Sequence, residues 1–303
     1  MKKYSQYLGP NQFVVFLLHG VVQKSGYRIR NYNRKHIEES YFEEVIDDLV
    51  SNGTAVSLDD YIESLSGVVS LPRKPFSITF DDGFENNFSI AAPILRNYRV
   101  PTTFYLTSDF IDFNTMSWID KIELCLENSR PKEINLPWTQ KTSLLSNLSS
   151  EKNFLNMIRK KVKGDFRFVP NDLVESIYEQ CKKPIPTSSK DPLDLKMNWN
   201  QVEELSKDSL FTIGGHTKTH SILSYLDSRR MKDEIDSSIN TIINKTNIDK
   251  VSHFSYPEGF AGSFNDETIS LLKSRGIICS PTAIEGTNSL NDDPFRLKRI
   301  FIL

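Results

Sequence analysis

The stretch FSITFDDGFENNFSIAAPILRNYRVPTTFYL, residues 76–106, holds one complete unit of the pattern that decides the fold. FSITF (76–80) and TTFYL (102–106) are short runs rich in aromatic and β-branched residues, the composition of strands. Between them Ile90, Ala91, Ile94, Leu95 and Tyr98 recur at the spacing of one helical face. Strand, helix and strand in so short a span predict parallel strands with the helix packed outside them.

The same rhythm extends in both directions. Further strand-like runs are FVVFLL (13–18), TAVSL (54–58), LFTIGG (210–215), SHFSY (252–256), IICS (277–280) and LKRIFIL (297–303). Phe42, Val45, Ile46, Leu49 and Val50 form a helical face that Gly53 is placed to stop, and Met231, Ile235, Ile239 and Ile242 form another. Strand–helix alternation leaves a barrel or a doubly wound sheet. No Gly-rich phosphate loop follows the first strand, so a barrel is favoured over a dinucleotide-binding sheet. Residues 111–196 break the rhythm with MSWIDKIELCLENS, LLSNLSSEKNFLNMIRKKVKG and NDLVESIYEQC, which read as helices. The expectation is one α/β barrel domain over 1–303 with a helical insertion at about 111–196, an excursion of the kind that shapes a substrate cleft.

Bulk properties narrow the function classes. The chain has 303 residues, 38% hydrophobic and 25% charged, enough for a large packed core. A net charge of -2 gives no electrostatic reason to expect nucleic acid as a partner. Cys125, Cys181 and Cys279 are far apart in sequence and form no CxxC pair, which reads as incidental thiols in a reducing compartment. The basic start MKK precedes an apolar run too short for a signal peptide, and no run reaches the roughly 20 apolar residues of a membrane span. The expected location is cytoplasmic, with peripheral contact at the inner membrane face left open.

Two motifs carry chemistry. In ITFDDGFENN (78–87) a strand ends in Asp81, Asp82 and Gly83. In a continuing strand the two carboxylates would face opposite ways. At a strand end the chain turns, and both reach one cleft. Adjacent carboxylates repel unless a cation occupies one and a proton-accepting task the other; the alternative is a solvated turn. In FTIGGHTKTHSIL (211–223), His216 and His220 stand four residues apart after a Gly-Gly strand end. On a helical turn both imidazoles would share a face and a metal; the alternative is two unrelated surface histidines. Two imidazoles and one carboxylate with an open position compose a catalytic metal site, suited to hydrolysis of an amide or ester.

As a set, TFDDG and HTKTH resemble the polysaccharide deacetylase family (carbohydrate esterase family 4), whose pattern is TFDDG and then H[ST]xxH. MNWNQVEELSKDSLFTIGGHTKTH is similar to the family's approach to its second motif, SHFSYPEGF (252–260) to its third, and GIICSPTAIEGTNSLNDDPFRLKRI to the end of the domain. The resemblance covers most of the chain outside the insertion. It implies a distorted (β/α)7 barrel, with Asp81 as general base and Asp82, His216 and His220 as ligands of a divalent metal. Zinc is expected first, and such ligands also accept cobalt, nickel or manganese. The activity implied is removal of an N-acetyl group from a sugar, glycan or lipid-linked sugar precursor. Rival readings are an amidohydrolase on a small cyclic amide or ureide, and a glycan-binding relative without turnover.

Two departures from the family pattern stand out. Where many members carry a base-orienting arginine, this chain has Ser255, and Arg296 or Arg299 would have to substitute from the final segment. The last thirty residues hold no histidine, although many members place their acid there. His19 is the candidate acid, because FVVFLLHG ends a strand with His-Gly as the other motifs end theirs, and some relatives use an N-terminal strand histidine. The competing reading is a buried histidine bonded to backbone. Tyr256, Pro257, Glu258, Trp118 and Arg299 are further candidates for contact with substrate, with a backbone N–H near Glu258 or Gly259 at an oxyanion. For Trp118 and neighbouring Asp120 the alternative is helix packing. His36, in NRKHIEES, is expected to be solvated, and His253 to line the core.

Overall fold

A computed structural model describes residues 3–24, 26–67 and 69–303, so Met1 and Lys2 of the basic start lie outside the described residues. The chain forms two compact units: Met1–Lys24, His36–Asn114 and Lys196–Leu303 in the first, Ser25–Lys35 and Thr115–Leu195 in the second. The second takes in nearly all of the stretch that breaks the strand–helix rhythm, together with residues 25–35, which the sequence pattern had not set apart.

The first unit is built on parallel strands β1 (Gln12–Leu18), β2 (Pro75–Phe80), β3 (Thr102–Leu106), β4 (Phe211–Gly215) and β5 (Arg299–Phe301). They run side by side in the order β5, β1, β2, β3, β4. Shorter links continue from β4. Gly215 N–H donates to His253 O and Ser255 N–H to Gly215 O, and Phe254 N–H then donates to Cys279 O. Thr282 N–H donates to Leu297 O and Arg299 N–H to Ile284 O, which brings the chain back to β5. This is the distorted, barrel-like (β/α)7 arrangement expected from the sequence.

Alternation along β1 sorts its side chains between two cores. Val14, Phe16 and Leu18 pack outward with Phe42, Val45, Ile46 and Leu49 of helix Glu39–Asn52. Phe13 and Val15 point to an inner cluster with Tyr61, Tyr105, Cys279 and Leu297. Both faces are buried, which is why these strands read as continuous apolar runs. Helix Ser228–Thr246 buries the expected Met231, Ile235, Ile239 and Ile242, and Asp227 caps its start by accepting from Arg230 N–H, a cap worth about 1 kcal/mol.

His36 departs from its expected solvated place. It is buried, its Nδ1 lies 3.1 Å from Asn86 Nδ2, and its ring meets Phe84 edge-on. Gly20 is what admits it, because a Cβ there would fall 2.0 Å from His36 Nδ1. In the short strand His36–Glu38 only Glu38 is exposed, so the charged residues around His36 in sequence do not carry it to the surface. His253 is buried in the core as expected, with Nε2 3.0 Å from Asp59 Oδ1.

The second unit packs helices Trp118–Ser129, Leu148–Lys163 and Pro170–Gln180 around Ile122, Leu126, Leu155, Ile158 and Ile177. Residues 28–30 join it through Glu127, whose carboxylate accepts from the backbone N–H groups of Arg28, Ile29 and Arg30. Arg30 is buried against Asp194 and Asp191. Among the described residues no helix is long and apolar enough to cross a membrane.

Candidate metal and catalytic site

Parallel register brings the ends of β1, β2, β3 and β4 to one rim: Leu18 pairs with Phe80, and Leu106 with Gly215. The next residues are therefore His19, Asp81, Thr107 and His216. Asp81 N–H donates to Leu18 O, and His216 N–H to Leu106 O, which carries the ladder one step past each strand. The chain then turns sharply. Asp82 and Gly83 both take left-handed backbone (φ 78° and 77°), and this swings Asp82 to the same side as Asp81. For a residue with a side chain such backbone costs about 1–2 kcal/mol, so the surroundings must hold it.

Asp82 Oδ1 lies 3.7 Å from His216 Nε2 and 3.3 Å from His220 Nε2. One donor atom from each residue can be chosen so that all lie within 4.8 Å of one another. Two donors bound at ~2.1 Å to a tetrahedral ion stand ~3.4 Å apart, so the spacing fits a small divalent cation. His216 Nδ1 sits 2.7 Å from Ser255 O, the bond that leaves Nε2 facing Asp82. Burial and the neighbouring His220 lower the His216 pKa against the pull of Asp81 and Asp82, which favours the neutral imidazole a metal needs.

The two histidines are not on a helical turn, contrary to the geometry their spacing suggested. Residues 216–222 form a loop with left-handed backbone at Thr217 and His220 (φ 64° and 65°). Their rings approach edge to face at 4.9 Å between centroids, and Phe110 stacks on His220 at 5.8 Å. The loop is tied from both sides. Ser108 and Asp109 N–H groups donate to the Thr217 and Lys218 carbonyls, and Glu234 accepts from Thr219. Lys196 is buried with its ammonium 3.6 Å from the Phe84 ring centroid and 5.3 Å from that of Phe110.

Asp81 is held by Arg299. Both guanidinium nitrogens Nη1 and Nη2 donate to its carboxylate, at 2.8 and 2.7 Å, while Nε donates to Thr282 O. Ser255 Oγ lies 3.4 Å from Asp81 Oδ2 and accepts from Arg299 at 3.0 Å. Burial pushes the Asp81 carboxyl up, but Arg299 and His216 outweigh it, with a smaller contribution from His19, and its pKa lies below the usual carboxylate range. Asp81 is therefore ionised although fully buried.

Two of the expected substrate contacts, Arg299 and Tyr256, are buried side chains with protein partners. Arg299 is wholly buried behind Asp81, so it meets the carboxylate and not a ligand; Arg296 is half-exposed and pairs with Asp266 and Asp293. Tyr256 is a core residue, stacked on Phe264 at 4.1 Å with its hydroxyl donating to Phe295 O. Pro257 is buried and Glu258 is partly exposed in a left-handed turn. Trp118 belongs to the second unit, where it packs against that unit's apolar core. His19 stands partly exposed at the end of β1, with its carbonyl accepting from Asn87. Glu234, Phe110 and Lys196 were missed from sequence. Only Glu234 left a signal, as an acid on the apolar stripe of Met231, Ile235 and Ile242.

A family profile described as Polysaccharide deacetylase matches residues 69–136 and 173–279, more than half of the chain. The chain belongs to the polysaccharide deacetylase family. Among curated proteins none matches the sequence. Solved structures share the fold at low identity. The Streptococcus pyogenes deacetylase PplD in complex with acetate has a TM-score of 0.61 at 14% identity, over 97% of this chain and 94% of that one. IcaB from Ammonifex degensii has 0.58 at 18% identity, over 97% and 92%. A de-N-acetylase from Aggregatibacter actinomycetemcomitans has 0.59 at 17%, over 96% and 95%.

Proposed function

We propose that this protein is a metal-dependent hydrolase that removes the acetyl group from the nitrogen of a sugar unit in a glycan or a lipid-linked glycan precursor. The observation that carries the reading is the convergence of Asp82, His216 and His220 beside a buried, ionised Asp81. A divalent cation held by those three, zinc first among the candidates, would lower the pKa of water towards about 7 and polarise the acetyl carbonyl.

The chain's own residues divide the remaining work. Asp81 accepts the proton of the attacking water as oxygen adds to the acetyl carbon. Arg299 and Ser255 keep its carboxylate oriented and charged. The C–N bond breaks when the nitrogen is protonated, and His19, on the same rim, is the residue we assign to donate that proton. The products are acetate and the free amine.

The test is acetate release from N-acetylhexosamine substrates, presented free, polymeric and lipid-linked, with zinc, cobalt, nickel and manganese in turn. We expect metal-dependent acetate release that His216→Ala and His220→Ala abolish together with bound metal. Ring-opened or ammonia products from a cyclic amide, without acetate, would replace the reading; full metal occupancy in both variants would remove the ligand assignment. For His19→Gln we expect kcat on the amide to fall by about 10²-fold while an activated ester loses much less, since its leaving group needs no proton. Equal losses on both substrates would take His19 out of the chemistry.

A further inference from the structure

We propose that Glu234 is the positioning residue of the metal loop, an inference that rests on the metal-site reading given above. Its Oε2 accepts from Thr219 N–H at 2.9 Å and its Oε1 from Thr219 Oγ1 at 2.6 Å, so one carboxylate grips the residue directly before His220 at two points. Its own carbonyl accepts from Lys218 N–H at 3.1 Å. A single residue of helix Ser228–Thr246 therefore meets two successive residues between His216 and His220.

The loop needs such a restraint. Thr217 and His220 both carry left-handed backbone, which a free loop of side-chain-bearing residues abandons for extended or right-handed conformations. His220 is also the more accessible of the two histidines, with 19% of its side chain exposed against 2% for His216. His216 is fixed by Leu106 O and Ser255 O, on the ladder and at its ring. His220 is held by the Phe110 stack, by Asp82 at 3.3 Å and through Thr219 beside it in the chain. Glu234 is nearly buried, sits in the second turn of a capped helix, and touches neither the reacting atoms nor the three donor atoms. Its effect reaches the site only through where His220 Nε2 stands.

Two measurements on the full chain judge this. In metal-free protein, amide hydrogen exchange at residues 217–220 should quicken in Glu234→Ala and in the isosteric Glu234→Gln, while exchange in β1–β4 stays at the parent rate. Cobalt and zinc affinities, read by chelator competition and by the visible spectrum of bound cobalt, should fall by about 10- to 100-fold, the scale of outer-shell losses. Thr219→Val should show a smaller fall, since the backbone bond survives. At saturating cobalt kcat should return towards the parent value with KM unchanged. Parent-like exchange and affinity in a folded Glu234→Ala overturns the proposal. So does general loss of stability in Glu234→Ala with parent-like affinity in Glu234→Gln and Thr219→Val, which leaves a purely structural role. A parent protein that takes up no cation instead sinks the metal reading, and loop exchange then decides the clamp by itself.

Discussion

Each compact unit buries an arginine against carboxylates, and the two settings differ in what surrounds the pair. Arg299 forks onto Asp81 at the end of β2, where His216 and His19 both act on the same carboxylate. Arg30 meets Asp191 and Asp194, which also accept from the hydroxyls of Tyr27 and Ser189. Arg30 and Asp194 are as hidden as Arg299 and Asp81, yet only the latter pair lies beside imidazoles that can ligate a metal. A buried ion pair by itself marks a place where the fold needs charge balance. It becomes a reactive site when one partner keeps an open direction towards groups that bind or polarise a substrate.

That contrast can be broken at either pair. Arg30→Ala strands Asp194 in the second unit without its cation, and loss of one partner of a buried pair costs about 3–5 kcal/mol. We expect chemical denaturation to report that loss while metal affinity at Asp82, His216 and His220 holds; parent stability with weakened metal binding would reverse the comparison. Asp81→Asn leaves Arg299 buried without its counter-charge, so it also costs stability, and it should be severe for turnover. Its kcat should fall at least ~10²-fold with metal content unchanged. Loss of metal in Asp81→Asn, with retention in Asp82→Asn, would exchange the roles of the adjacent carboxylates.

The smallest effect is on pH dependence. As the proposed base, Asp81 accepts a proton only when ionised, so activity should be lost as pH falls through its pKa. That pKa is low because Arg299 and His216 outweigh burial. Arg299→Lys keeps one charge but loses the fork. Burial then gains weight, and the acid limb of the kcat/KM profile should move upward by about one pH unit. An unmoved limb would mean that Arg299 does not govern the base.

Much of the architecture was legible because both faces of each strand are buried, leaving apolar runs such as FVVFLL and FSITF that stand out against the helices between them. The four residues Asp81, Asp82, His216 and His220 were legible because strand-end motifs keep their atoms close along the chain. What failed depended on distant packing. Arg299 lies 218 residues from Asp81, and no local pattern distinguished it from Arg296 as the base's partner. His36 looked solvated among charged neighbours, although Asn86 and Phe84 enclose it from another segment. The interval between His216 and His220 fitted a helix equally well, since spacing is blind to the left-handed residues that make it a loop. Residues 25–35 carried no mark of the unit they join, because Glu127 captures them through their backbone and not through side-chain pattern.

The Arg299–Asp81 fork also sets an order of events in folding. β5 pairs with β1, and its guanidinium reaches Asp81 across 218 residues of chain. Loop-closure entropy makes such a contact late, after the β1–β2 pair and the local helices have formed. Without that counter-charge, burial favours the protonated form of the Asp81 carboxyl. Refolding protein should therefore regain helical signal and β-pairing before it regains turnover. The lag between the two would time the arrival of Arg299 at Asp81.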